Sequence, residues 1–151
     1  MANTQAMCTS FKGELLVGHH NFGTGVTRGS TAADSFKAAL FLASATVNAA
    51  TTAYSTTGEV SGTGYTAGGV AVTFGTVPST SGTTAFVTPS ASITYSAVTL
   101  STAFDAVLIY NSTQSNKAVS VHTFGSQTVT AGTFTLTMPV NDASTGLIRL
   151  A

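Results

Sequence analysis

The chain has 151 residues, enough for one domain with a sizeable core, and its five basic and five acidic residues give a formal net charge of zero. Charged residues make up 7%, against the roughly 25% of an ordinary soluble domain, while Ser and Thr make up about thirty per cent. This balance excludes a basic patch for nucleic acid or anionic lipid, and the single cysteine, Cys8, excludes an internal disulfide and a cysteine-based zinc cage.

The longest mainly apolar stretch, Ala38–Ala50, is interrupted by Ser44, Thr46 and Asn48 and is too short to cross a bilayer. The N-terminal Met-Ala-Asn-Thr-Gln lacks the basic and apolar regions of a secretory signal, so synthesis in the cytosol is expected. Cys8 has no base near it in sequence and reads as inert. A neutral, weakly charged surface favours association. In a permanent component of a large assembly, hydroxyls, backbone and small apolar patches would make the contacts.

In chain order, Met7, Phe11 and Leu15 recur at four-residue spacing, with Thr9 or Ser10 able to cap, Glu14 early and Gly18 at the end. They predict a short N-terminal helix, weakened by Gly13 inside it. His19–Thr31, with Gly23, Gly25 and Gly29, reads as a loop or arm. Phe36, Ala38, Leu40 and Leu42 alternate with Lys37, Ala39 and Phe41, a strand apolar on both faces and therefore central, with a helix over Ala32–Ala45 as the weaker alternative. Asn48–Gly69 is a long insertion of small residues that reads as a shaped loop anchored by Tyr54, Val60 and Tyr65.

Beyond it the period becomes two. Val70–Phe74, Ser92–Ala97 and Ala106–Tyr110 read as three core strands, and Thr84–Thr88 as a shorter one between Pro78 and Pro89. Asn111–Asn116 is a polar turn followed by a strand over Val119–Thr123. A turn at Ala131 and Gly132 predicts a hairpin of Gln127–Thr130 with Thr133–Met138, in which Phe134, Leu136 and Met138 face inward and the threonines outward. Leu147–Leu150 supplies a terminal strand. The expected fold is all-β: an antiparallel sandwich or jelly-roll-like domain of about eight strands over residues 31–151, preceded by a helix and glycine-rich arm over residues 1–30.

Side chains that could carry chemistry are sparse. His19 and His20 are adjacent, so on an extended chain they point apart, and His122 is distant; a three-histidine metal site is the minor reading beside loop and half-buried strand histidines. Asp34, Asp105 and Asp142 accompany many serines, but none of these serines sits in a Gly-x-Ser-x-Gly elbow. Nothing in the spacing pairs Glu14 with Glu59 as a glycosidase would. Gly62–Ala67 fits a loose dinucleotide fingerprint without the surrounding βαβ unit. No catalytic residue, cofactor or metal is expected. Lys12, Glu14, Arg28, Glu59 and Arg149 read first as solvated charges and second as members of pairs between subunits.

The segments Ser10–Phe22 (SFKGELLVGHHNF), Asp34–Phe41 (DSFKAALF) and Thr51–Gly69 (TTAYSTTGEVSGTGYTAGG) resemble a family of small structural proteins of tailed bacteriophages, as do Phe104–Ser112 (FDAVLIYNS) and Val129–Pro139 (VTAGTFTLTMP). Gly58–Gly69 is the most specific part. The resemblance implies a virion protein without enzymatic activity. From it follows the expectation of a capsid decoration or cement protein, made in the host cytoplasm. It would bind the outer face of the head shell as a homotrimer and clamp neighbouring major capsid subunits, with neither nucleic acid nor membrane as partner. Phe11, Leu15, Arg28, Glu59 and Tyr65 are the candidate interface residues. The alternatives are a tail, head-to-tail connector or fibre-base protein, or a carbohydrate-binding module that stacks sugars on Tyr54, Tyr65 and Tyr110.

Overall fold

The computed structural model describes residues 3–8, 11, 15, 19–20, 22–23, 33–76, 78–82 and 84–150. They form two antiparallel sheets, as expected for an all-β sandwich. The strands are β1 (Ala6–Met7), β2 (Phe36–Leu42), β3 (Val70–Val72), β4 (Ser79–Ser81), β5 (Thr84–Val87), β6 (Ile93–Asn111), β7 (Lys117–Leu136) and β8 (Ile148–Leu150). The larger sheet has the order β1-β7-β6-β2-β3, the smaller β4-β5-β8.

β2 forms where apolar residues occupy both faces, and it lies inside the sheet. Phe36↔Asn111 to Leu42↔Phe104 pair it with β6, and Phe36↔Val72 to Ala38↔Val70 pair it with β3. β6 and β7 are long strands joined by the predicted polar turn. Asn111 Oδ1 accepts the Thr113 and Gln114 amides at 3.1 Å each, and Ser115 (φ 52°) and Asn116 (φ 58°) both take left-handed conformations, as in a type I′ turn.

Two expectations are corrected here. The strands predicted over Ser92–Ala97 and Ala106–Tyr110 are parts of β6, and the hairpin predicted at Ala131 and Gly132 is absent because β7 runs straight through these residues. The pairs Val98↔Gly132 and Leu100↔Val129 bracket a register shift, and Ala131 has φ 45°. A left-handed residue beside a glycine is the signature of a bulge as well as of a turn. Val98, Leu100 and Phe104 are all buried, so the chain between the two halves of β6 has apolar surface to cover.

A third correction concerns the N-terminus. Met7, expected on a helix, pairs with Ser120 on β7 as part of β1, whereas Phe11 and Leu15, expected on the same helix, are helical. The remainder of the predicted helix, apart from Phe11 and Leu15, lies outside the described residues, as does the arm from residue 24 to 30.

One apolar cluster joins the two sheets, with Phe36 and Phe74 from the larger and Val87 and Ile148 from the smaller. Phe22 enters it, stacked on Phe36 at 5.0 Å and edge-on to Phe74 at 5.0 Å. Phe11 follows, 5.8 Å from Phe22. A second aromatic group, Phe104, Phe124 and Phe134, closes the ribbon of β6 and β7, with centroids 5.0 to 5.9 Å apart.

Candidate functional site

Residues 43–69 leave β2 and return to β3 as a strap fastened to the larger sheet. Short bridges place Phe41 against Glu59, Ala53 against Lys117 and Thr63 against Thr99. Gly69 makes the return possible: its φ is +70°, and a Cβ there would fall 1.6 Å from the Ala38 carbonyl oxygen.

Glu59 is the centre of the strap. Its Oε2 accepts the Tyr54 hydroxyl at 2.6 Å, and its Oε1 accepts the Tyr65 hydroxyl and the Gly68 amide, each at 2.7 Å. Two further tyrosines complete the assembly. Tyr110 donates to the Gly68 carbonyl at 2.8 Å and stacks on Tyr54 at 4.6 Å, while Tyr95 donates to the Ala38 carbonyl at 2.8 Å and stacks on Tyr65 at 5.9 Å. All four tyrosines of the chain are in this group. Burial, and after it the nearby Glu59 carboxylate, push the Tyr54, Tyr65, Tyr95 and Tyr110 hydroxyls above the ordinary phenol range, so all four are protonated donors near neutrality.

Of the residues expected at an interface, Glu59 and Tyr65 are brought into direct contact. Phe11 is fully buried, its ring edge-on to His20 at 4.7 Å. Leu15 is half-buried beside an apolar groove lined also by Phe22, Pro78, Phe86, Ile148 and Leu150. Arg28 lies outside the described residues. The sequence does not reveal Tyr54 as a partner of Glu59, nor Tyr95 and Tyr110 as the tyrosines stacked behind Tyr65 and Tyr54. One signal was present: Glu59 is the single charged residue between Lys37 and Asp105, and it stands among tyrosines.

The histidines separate. His20 is buried with its Nδ1 3.2 Å from Asn111 Nδ2, which donates to Asp34 Oδ2 at 2.7 Å. His122 Nε2 lies 2.9 Å from Ser120 Oγ, and burial lowers its pKa to about 4, so it is neutral at pH 7. This pair has the atoms of a nucleophile and its base, but Ser120 is 2% exposed, which bars a substrate carbonyl from its Oγ. Among the described residues no group of three or more His, Cys, Asp or Glu side chains could hold a metal ion. The sugar-stacking alternative meets a steric obstacle, because Tyr110 is buried and the Tyr54 and Tyr110 rings occupy one another's faces.

What the strap presents outward is uniform. Ser55, Thr57, Ser61, Thr63, Thr66 and Ala67 are exposed on the strap, and Thr94, Thr133 and Thr135 are exposed on β6 and β7. Thr94 and Thr135 lie opposite each other with Oγ1 atoms 3.4 Å apart. None of these exposed side chains carries a charge. No family model matches the chain, and no curated protein or solved structure matches it.

Proposed function

We propose that the protein is a structural component of a tailed-phage virion, a capsid decoration protein that binds the outer face of the head shell and clamps neighbouring major capsid subunits. The observation that supports this reading most is the hydroxyl surface of the strap, held in one conformation by Glu59 and the tyrosines. A surface already ordered before contact loses little conformational entropy on docking, and one without charge meets no like-charge repulsion from a neutral partner. The sequence resemblance supports the same reading. The mechanism is mass action: a ligand that binds only the assembled shell stabilises it by RT ln(1 + [L]/Kd). Copies arranged as homotrimers at threefold positions would multiply each contact through effective concentration.

The test is copy number and rescue. In purified virions the band of this protein, measured against the major capsid protein, should correspond to occupancy of the whole shell, and adding the protein to shells that lack it should raise their thermal midpoint. A few copies per particle would replace this reading with a tail or connector component.

A further inference from the structure

β2 is the strand this fold can least leave uncovered. Its sequence, FKAALFL, carries one charge, Lys37 near its start, and is otherwise apolar. A short apolar strand with an open edge is a template on which another chain can add. β3 covers the outer edge of β2 only from Phe36 to Ala38.

Past Ala38 the outward backbone groups are satisfied by the strap and by tyrosine hydroxyls. The Leu40 amide donates to the Tyr65 hydroxyl oxygen at 3.0 Å, the Val60 amide donates to the Leu40 carbonyl at 3.0 Å, and the Leu42 amide donates to the Gly58 carbonyl at 2.9 Å. The Ala38 carbonyl accepts the Tyr95 hydroxyl. The Tyr65 hydroxyl therefore serves both sides at once, accepting a hydrogen bond from the Leu40 amide and donating one to Glu59. The strap has no regular strand pairing of its own over residues 55–67 beyond its bridges to Phe41 and Thr99, so the carboxylate and its three donors reinforce the few backbone bonds at Gly58, Val60 and Thr63 that hold it down.

We propose that the Glu59–tyrosine clasp is an edge guard, which keeps residues 58–60 and the Tyr65 hydroxyl against β2 and so prevents the β2 of a second copy from extending the sheet. The inference concerns the free protein and does not depend on the role in a particle.

The test uses the full chain with Tyr65→Phe and, separately, Glu59→Gln, followed by amide hydrogen exchange and by light scattering against protein concentration. The diagnostic amide is that of Leu42, because its own acceptor, Gly58, is untouched by either change. Exchange at Leu42 should rise at least about tenfold, clearly more than at Val107 and Leu108 on the β6 side, and concentration-dependent assembly should appear. Three results would overturn the proposal: unchanged exchange at Leu42, an equal rise at Leu42 and Val107, or an opened edge with the protein still monomeric at every concentration. If Glu59→Gln does not fold, the milder Tyr65→Phe decides alone.

Discussion

The hydroxyl of Tyr65 lies 2.7 Å from the Glu59 carboxylate and 3.0 Å from the backbone nitrogen of Leu40, so one side chain ties a surface strap to a central strand. Hydrogen bonds to a charged acceptor contribute about 1.5–3 kcal/mol each, more than neutral ones. The rarest residue class of the chain is thus placed where a charge does the most to order a loop.

The return of the strap depends on a residue without a side chain. Gly69→Ala should cost about 3 kcal/mol or more, because φ +70° and a Cβ 1.6 Å from the Ala38 oxygen require backbone movement. Gly82, with φ +57° but nothing within 4 Å of its added Cβ, is the control, and its change to Ala should cost only about 1 kcal/mol. Urea unfolding midpoints of the two variants check the difference.

Phe11 tests the place of the N-terminal residues in the core. It is fully buried against His20 and Phe22, and Phe11→Ala should lower unfolding stability by about 3–5 kcal/mol through the cavity it leaves. A change below about 1 kcal/mol by chemical denaturation would show that the segment does not belong to the cooperative unit.

His122 predicts acid sensitivity. Its pKa falls from 6.5 to about 4 on folding because burial penalises the charged ring, so between these values the unfolded chain binds more protons than the folded one. Stability should be unaffected by this group above pH 6.5 and decline as the pH falls towards 4, by up to about 3 kcal/mol. His122→Gln should flatten that part of the profile, as read from unfolding free energies of both proteins at pH 7.5 and 4.5.

The hydroxyl surface can be altered without touching the core. Thr63→Lys and Thr135→Lys replace exposed side chains and should change stability by no more than about 0.5 kcal/mol. If this surface meets the shell, each desolvated ammonium should weaken occupancy of particles at least about tenfold, a loss of about 1.4 kcal/mol. Full occupancy by both variants would move the contact elsewhere on the molecule.

The strand pattern was legible where it is local. Alternation of Phe36, Ala38 and Leu40 with Lys37 and Ala39, and of Phe134 and Leu136 with Thr133 and Thr135, states the period of the backbone directly, and both segments are strands. The bulge at Ala131 was not legible, since a small residue before glycine suits a turn as well as a kink within a strand, and only pairing with Val98 and Leu100 distinguishes them. The N-terminal spacing of Met7, Phe11 and Leu15 suggests a helix, and Phe11 and Leu15 are helical; Met7 instead finds a backbone partner on β7, where tertiary pairing overrides so short a pattern.

By itself the sequence determined an all-β chain with a nearly charge-free, hydroxyl-rich exterior, because side-chain period and composition are properties of neighbouring residues. Only the tertiary structure decided what Glu59 does. Tyr54 and Tyr65 stand close to it in the chain, but Tyr95 and Tyr110 reach the same place through the register of β6 against β2 and β7. Neither Glu59 nor Tyr65 carries that register, so the clasp and the strand edge it covers come into being only when the sheet is built.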